Sequence, residues 1–188
     1  MMARTRIAWG ITGAGDYIRE SLDVMSELEQ DPEHSVTVLL SKSGELVVKW
    51  YGLWDRLKAE FSHVHSERGA NTPFLAGPLQ LGHYALLFIS PGSANTVAKI
   101  ACGIADSLIT NCVAQTIKGG TPVYIYPVDQ LLGSQETEGP QGERITISTR
   151  QVDIDNVEKV RRMAGIHVLS DPTEIQGVLR AAVSQIRR

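Results

Sequence analysis

The sequence has few cysteines, no long apolar run and no excess of positive charge. Its two cysteines, Cys102 and Cys112, stand ten positions apart and form neither a C-x-x-C pair nor metal-type spacing, which predicts free, buried thiols. A net charge of −3 without a basic block argues against a nucleic-acid partner. The apolar runs are too short to span a membrane, and the N-terminal residues lack a signal-peptide core. We therefore expect a cytoplasmic protein that has no membrane partner.

The composition and the alternation of patterns predict an α/β fold. The 188 residues, 43% of them hydrophobic, are enough to bury one core, so we expect a single domain over residues 1–188. Strand-like runs occur at Arg6–Thr12, Ser35–Ser41, Tyr84–Ser90, Pro122–Tyr126, Arg144–Thr149 and Ile166–Leu169. Helical patterns occur at Tyr17–Gln30, Gly44–Phe61, Ser93–Lys118, Asp155–Met163 and Pro172–Ile186, and Asp155 and Asp171 are the N-cap candidates of the last two. This order predicts a three-layer α/β/α sandwich with a mainly parallel, Rossmann-like (flavodoxin-like) sheet.

Two segments do not fit the alternation. Ser62–Gln80 and Leu132–Glu143 are rich in glycine, proline and polar residues, which predicts long loops. Long loops in a compact domain are often lids, subunit contacts or mobile segments, so either loop could close over a bound substrate. His63 and His65 in the first loop form an H-x-H pair, but the sequence offers no third ligand at a clear spacing, so we predict no metal site.

The segment after Ser90 joins a polar turn to an unusual helix. If the helix starts near Ser93, its residues separate into three faces at the helical period. The apolar face holds Val97, Ile100, Ile104 and Leu108, the small face Ala94, Ala98, Ala101 and Ala105, and the polar face Asn95, Lys99, Cys102 and Asp106. A second stripe of small residues predicts close contact with another backbone, in the same subunit or in a neighbour. A break near Thr110 and Asn111 would divide the segment into two helices.

Polar turns follow four of the predicted strands, and ligands of open α/β sheets bind where such turns meet. The turns are Gly10–Gly15, Ser41–Gly44, Ser90–Ser93 and Pro127–Gln130. The first has the order G-x-x-G-x-G without an acidic residue at the ribose-binding distance, and the chain has no G-x-x-x-x-G-K-[ST] motif. The turns have many hydroxyls and backbone donors but few cations, of which Lys42 is the main one nearby, and this suits one phosphate and a neutral ring. The sequence favours a mononucleotide site, although glycine and serine in each turn are also explained by turn formation alone.

The run from Ser90 to Asp106 resembles the Pro-Ala-Ser-Ala-Asn-Thr segment, and the following Ala-Lys-x-Ala-x-Gly-Ile-Ala-Asp, of the homo-oligomeric flavin-containing cysteine decarboxylase superfamily. The resemblance covers most of the chain and implies FMN bound between the subunits of a trimer. By motif position it assigns cofactor binding to Thr12, Gly13, Ala14, Ser41, Ser43, Ser90, Pro91, Gly92, Ser93, Asn95, Thr96 and Asn111.

Two departures from the decarboxylases point to another branch of that superfamily. Gly77 stands at the spacing of their catalytic histidine, and Pro127 is followed by Val-Asp-Gln instead of the Ala-Met-Asn that grips the substrate carboxylate. The runs Ile11–Gly15 and Ala98–Asp106 are more similar to the archaeoflavoprotein and dihydromethanopterin reductase branch. That resemblance implies reduction of dihydromethanopterin to tetrahydromethanopterin by hydride from reduced FMN. The electron donor would be NAD(P)H or a separate redox protein, and the assembly a homo-oligomer built from trimers.

Within this hypothesis a proton must reach the pterin nitrogen. Asp129, at a strand end in the substrate-side loop, is the candidate donor, Tyr126 is the reserve, and a solvent water would serve equally. A turn or cap carboxylate is the alternative role for Asp129. Two other functions stay open: decarboxylation of a cysteine-derived substrate, and electron transfer by a flavoprotein without a small substrate.

Overall fold

The computed structural model describes residues 4–178 and Ala181. Its strands, in chain order, are β1 (Thr5–Ile11), β2 (His34–Leu40), β3 (His63–Ser66), β4 (Leu86–Gly92), β5 (Val123–Pro127), β6 (Gly133–Glu138), β7 (Arg144–Thr149) and β8 (Ile166–Val168). Its helices are α1 (Ile18–Gln30), α2 (Lys42–Trp50), α3 (Trp54–Glu60), α4 (Ala76–Gln80), α5 (Ala94–Ala101), α6 (Leu108–Lys118) and α7 (Gln151–Arg161).

The central sheet has six strands in the order β3-β2-β1-β4-β5-β8. Every pairing within it is parallel. The strand order reverses beside β1, because β2 lies on one side of it and β4 on the other. Such a switch point opens a crevice at the carboxyl ends of the strands. The predicted α/β class and the Rossmann-like sheet are confirmed.

Apolar residues cover both faces of this sheet, as a parallel sheet requires. Alternate residues of each strand point to opposite faces. Trp9 and Phe88 therefore belong to one buried cluster, with residues of α1, α2 and α3. Leu39 and Leu87 belong to a second cluster, with residues of α4, α5, α6 and α7. The sheet is thus the middle layer of three. The carboxyl ends of its strands, between the two helical layers, remain accessible for ligand binding.

Two glycines divide helices differently from the prediction. Gly52 has φ 68°, so the segment predicted as one helix over Gly44–Phe61 is two helices, α2 and α3. Gly103 has φ 71°, and α5 ends at Ala101. The predicted break near Thr110 and Asn111 is therefore wrong, since both residues are buried in the first turn of α6.

The early end of α5 also changes its predicted faces. Ile104 falls in the connection to α6 and is 46% exposed, so the apolar stripe of the helix ends at Ile100. The helix lies beside α6 and α7 of the same chain. Ala101 packs against the cluster that contains Val157 and Val160 of α7. Part of the close contact predicted for the small-residue stripe is thus made within the chain.

The last predicted helices are shifted or only partly described. The helix predicted over Asp155–Met163 is α7, which begins at Gln151 with Arg150 at its N-cap, so Asp155 is not the cap. Asp171 accepts a hydrogen bond from the Thr173 N–H at 2.8 Å, as a cap does, and residues 174–178 are helical. The rest of the helix predicted to Ile186, except Ala181, lies outside the described residues.

Both segments predicted as loops contain regular structure. Ser62–Gln80 includes the edge strand β3 and helix α4, and Leu132–Glu143 includes β6. The strands β6 and β7 pair with each other in antiparallel fashion, and we call them the hairpin. The predicted strand Arg144–Thr149 exists, but it belongs to the hairpin instead of the central sheet.

The two cysteines differ in exposure, although both were predicted to be buried. Both are free thiols, Cys102 exposed and Cys112 buried, and burial raises the Cys112 pKa to about 12. We expect a thiol reagent to modify one cysteine per native chain and both in denaturant, because the thiolate is the reactive form. Peptide mapping of the labelled protein checks the site, and labelling of Cys112 in the native protein would contradict this expectation.

Among the described residues, no helix combines the length and the apolar character needed to cross a bilayer.

Candidate functional site

The first and third polar turns are bonded to each other at the switch point of the sheet. The Thr12 hydroxyl donates to the Pro91 carbonyl at 2.8 Å and accepts from the Ser93 N–H at 2.7 Å. Thr12 is fully buried, so this hydroxyl links the two turns from within. The fourth turn joins them through the Val128 N–H, which donates to the Gly92 carbonyl at 3.1 Å. The predicted meeting of the turns on one rim is confirmed.

The second turn packs against the first at two glycines. A Cβ on Gly13 would lie 2.6 Å from the Ser43 Cβ, and a Cβ on Gly44 would lie 2.3 Å from the Ile11 carbonyl oxygen. Neither position has room for a side chain without movement of its neighbour. The Ser41 hydroxyl caps α2 by accepting from the Gly44 N–H at 2.9 Å. These contacts hold the second turn against the first.

These turns and the polar face of α5 enclose a cavity of about 180 Å³, which we call the serine pocket. It is lined by Gly13, Ser41, Lys42, Ser43, Glu67, Ser93, Asn95, Thr96, Lys99 and Ser107. Six of these residues were assigned to cofactor binding from the sequence. Sequence reasoning noted Lys42 as a nearby charge but missed Glu67, Lys99 and Ser107 as lining residues. Lys99 could have been found, because it follows Asn95 by one helical turn on the polar face of α5.

Other predicted cofactor residues lie behind the pocket lining. Ser90 is fully buried, and its hydroxyl shares a hydrogen bond of 2.7 Å with the Ser21 hydroxyl of α1. The Trp9 indole N–H donates to the Ser90 carbonyl at 2.6 Å. Ala14 is buried, and its N–H donates to the Thr12 carbonyl at 2.9 Å. With Thr12, Pro91 and Gly92, these residues fix the shape of the turns.

Asn111, also predicted as a cofactor residue, holds a neighbouring loop. It is 7% exposed, and its side-chain N–H groups donate to the Ala70 carbonyl at 2.9 Å and to the Asn71 side-chain oxygen at 2.7 Å. The loop follows β3 and carries Glu67 into the serine pocket. Asn111 therefore supports one wall of the pocket from α6.

The candidate proton donor Asp129 follows β5, and its carboxyl is hydrogen-bonded to the backbone at the start of α5. Burial raises the pKa of its half-buried carboxyl, and the negative charges of Asp153 and Asp16 act in the same direction. A hydrogen bond with the backbone of Ala94 and the positive charge of Arg150 oppose that rise. Because Ala94 directly follows Ser93, this carboxyl is close to one end of the serine pocket.

The reserve donor Tyr126 is buried beside a strained residue. Its ring meets the Tyr17 ring edge-on, with centroids 5.2 Å apart, and burial raises the pKa of its hydroxyl. Tyr17 has φ 58°, an uncommon value for a residue other than glycine. Since such strain is frequent at ligand sites, it supports a functional interpretation of this rim.

A second cavity, of about 250 Å³, separates the first turn from the hairpin. Tyr17, Tyr51 and Asp16 line one side of it, and residues 135–138 of the hairpin line the other. The Thr137 hydroxyl donates to the Asp16 carboxylate, and the Tyr51 hydroxyl donates to the Glu138 carbonyl at 3.2 Å. The hairpin thus rests on the rim beside the serine pocket.

The donor set of the serine pocket fits a phosphate better than a metal ion. Hydroxyls, amides and the ammonium groups of Lys42 and Lys99 surround the space, together with the N-terminus of α5. The described part of the chain contains no cluster of three or more His, Cys, Asp or Glu side chains suited to a metal ion. His63 and His65 lie on β3, where burial lowers the His65 pKa.

A family model described as Flavoprotein matches residues 1–187 of this chain. The chain belongs to the Flavoprotein family. This finding confirms the predicted membership in a flavoprotein superfamily, and the rim that carries the serine pocket lies within the matched residues.

Two curated relatives are similar over most of this flavoprotein's length. An uncharacterised protein of Methanocaldococcus jannaschii is 49% identical over 174 residues, covering 93% of this chain and 94% of the relative. The dihydromethanopterin reductase (acceptor) of Methanosarcina mazei is 44% identical over 147 residues, which cover 74% of this chain. The match spans 61% of the length of that reductase.

A solved structure with a similar fold contains the predicted cofactor. The crystal structure of Burkholderia xenovorans DmrB in complex with FMN, described as a cubic protein cage for redox transfer, superimposes with a TM-score of 0.84 at 29% identity. The similarity covers the whole of both chains. FMN in that relative agrees with the cofactor predicted from the sequence.

Proposed function

We propose that this flavoprotein is an FMN-dependent oxidoreductase that reduces dihydromethanopterin to tetrahydromethanopterin. The observation that carries the proposal is the serine pocket, because its lining combines six residues assigned to FMN from the sequence with two lysines. The similarity to a named dihydromethanopterin reductase supports the choice of substrate. The product would be a reduced one-carbon carrier.

The residues of the pocket would hold FMN by its phosphate and its polar chain. Ser41, Ser43 and Ser93 offer hydroxyls, and Asn95 offers an amide on the first turn of α5. Bound and reduced, FMN supplies a hydride for the C=N bond of the pterin. The bonded turns keep the pocket in one shape, so little reorganisation is needed when a ligand binds.

The Asp129 carboxyl is our candidate for the proton that the pterin nitrogen takes up. Its raised pKa keeps more of it protonated near neutral pH than an ordinary aspartic acid. The Tyr126 hydroxyl is the reserve donor, and burial holds it in the neutral form. General acid catalysis of this kind contributes about 10²–10⁴-fold to a rate.

We also propose that the active form is a homo-oligomer built from trimers. Every residue that lines the serine pocket is glycine or polar, whereas a flavin ring needs an apolar cover as well. Leu46 and Trp50 on α2 are each 68% exposed, which gives the described surface apolar groups for a subunit contact. NAD(P)H or a separate redox protein would reduce the flavin.

The decarboxylase alternative is not favoured. The position of the catalytic histidine is Gly77, where a Cβ would lie 2.7 Å from the Phe74 ring. The turn after β5 reads Val-Asp-Gln where the decarboxylases need Asn. An electron-transfer flavoprotein without a small substrate would use the same pocket, so the experiment below includes it as an outcome.

We expect the purified protein to be yellow and its extracted chromophore to have the mass of FMN. Once reduced with dithionite under anaerobic conditions, it should be reoxidised rapidly by dihydromethanopterin in stopped-flow absorbance at the flavin maximum. Buffer without the pterin is the control. Identical traces with and without the pterin would favour an electron carrier, and a colourless protein that takes up no FMN would overturn the proposal.

A further inference from the structure

Lys99 is a lysine in the lining of the serine pocket that is held in place by a neighbouring acid. It lies on α5 one turn after Asn95, and its side chain is 28% exposed. Its ammonium nitrogen is 2.8 and 2.9 Å from the two carboxylate oxygens of Asp106. Asp106 belongs to the connection between α5 and α6 and is not part of the pocket lining. The ion pair therefore fixes the ammonium at the wall of the pocket.

The ammonium retains hydrogen-bonding capacity for a ligand. A lysine has three N–H donors, and the contacts with Asp106 use at most two of them. The hydrogen bond from Lys99 lowers the Asp106 pKa, so this carboxyl stays ionised at neutral pH. A third donor is left for an anion in the pocket.

The charges around the pocket favour an anionic ligand near Lys99. Its lining carries the cations Lys42 and Lys99 and the anion Glu67. Lys42 is exposed at the start of α2, where water and salt screen its charge, whereas Lys99 is half-buried. Hydrogen bonds between charged partners are stronger than neutral ones. The largest effect of charge on a bound phosphate is therefore expected from Lys99.

We infer that Lys99 makes the serine pocket select a phosphorylated flavin over the neutral riboflavin. Its ammonium pairs with the phosphate group, while Asp106 keeps the ammonium in position. The inference rests on the proposed flavin function. It goes further by assigning the discrimination between FMN and riboflavin to the Lys99 side chain. The alternative is a structural one, in which the pair only fastens the connection between α5 and α6.

Titrations of flavin fluorescence with the cofactor-free protein separate these two roles. We expect Lys99→Met to weaken FMN affinity about tenfold and to leave riboflavin affinity unchanged, because only FMN carries the phosphate. Lys99→Arg should keep the preference for FMN, since it keeps the charge. Lys118→Met, at an exposed lysine outside the pocket lining, is the matched control and should change neither affinity.

Asp106→Asn completes the design. If Lys99 acts through the phosphate, this variant keeps an oxygen partner for the ammonium and does not weaken FMN binding. Equal losses for FMN and riboflavin in Lys99→Met and Asp106→Asn would assign the pair to loop structure and overturn the inference. Equal affinities of the unaltered protein for both flavins would overturn it as well, with the flavin function intact. Binding of neither flavin would instead refute the proposed function.

Discussion

Replacement of Asp129 by asparagine is expected to slow the proposed pterin reduction about a hundredfold while it stabilises the fold at neutral pH. The loss of rate follows because an amide cannot donate the carboxyl proton. The gain in stability follows because burial and the charges of Asp153 and Asp16 disfavour the ionised carboxyl in the folded state. Asparagine is uncharged and still has an oxygen that can accept the hydrogen bond from the Ala94 backbone.

The pH dependence of stability gives a second measurement of the same variant. The folded-state pKa of Asp129 is raised, so its contribution favours folding below the unfolded-state pKa and is lost as the pH rises through the folded value. The difference in unfolding free energy between Asp129→Asn and the unaltered protein should therefore grow in favour of the variant from acidic to neutral pH. Urea unfolding at several pH values measures it.

Asp153 is the matched control because its pKa is shifted in the opposite direction. The hydrogen bond from Arg150 lowers the Asp153 pKa, and Arg150 donates to its two oxygens at 2.8 and 2.7 Å. Asp153→Asn should therefore destabilise the protein at neutral pH. If Asp129→Asn also loses stability at neutral pH, the Asp129 carboxylate mainly caps α5. If its turnover is unchanged, Asp129 is not the proton donor.

Replacement of Gly13 by alanine is expected to weaken FMN binding by about 1–3 kcal/mol, or roughly 5- to 150-fold. The new methyl group would lie 2.6 Å from the Ser43 Cβ, so the first and second turns would have to separate. Both turns line the serine pocket, and their separation would spread the groups that we propose hold the phosphate. Fluorescence titration with FMN measures the change in affinity.

A compensating substitution tests this explanation. Ser43→Gly removes the Cβ that the alanine would meet, and the nearest remaining atom of residue 43 would be its carbonyl carbon at 3.7 Å. The double variant Gly13→Ala/Ser43→Gly should bind FMN better than Gly13→Ala alone. Gly69→Ala is a suitable control, because a Cβ there meets nothing within 4 Å. If the double variant loses FMN affinity by a factor equal to the product of the two single-variant losses, the steric explanation is contradicted.

The central sheet and the rim were predictable because their signals are local and repeated. Continuous apolar runs such as Ile7–Ile11 are typical of strands that are buried on both faces. Polar turns after parallel strands then have to meet at one edge. The positive φ values of Gly52 and Gly103 were not predictable, because glycine inside a helical pattern is compatible with either continuation or a break.

The errors in the two predicted loops have a different cause. The hairpin strands are mostly polar and contain few large apolar residues. They are stabilised by pairing with each other. Short, exposed strands such as β3 also lack the apolar run that identifies a buried strand. In the site, the same limitation hid Glu67, which lines the serine pocket from the loop that follows β3 and that Asn111 holds.

The buried hydroxyl of Thr12 restricts how this site can change. The Thr12 hydroxyl bonds two backbone groups of the turn after β4. It donates to the Pro91 carbonyl and accepts from the Ser93 N–H. The turns after β1 and β4 are therefore coupled, and neither can be remodelled for a new ligand without the other. Engineering of the cofactor preference would have to keep a hydroxyl at this position and to vary the exposed side chains around it.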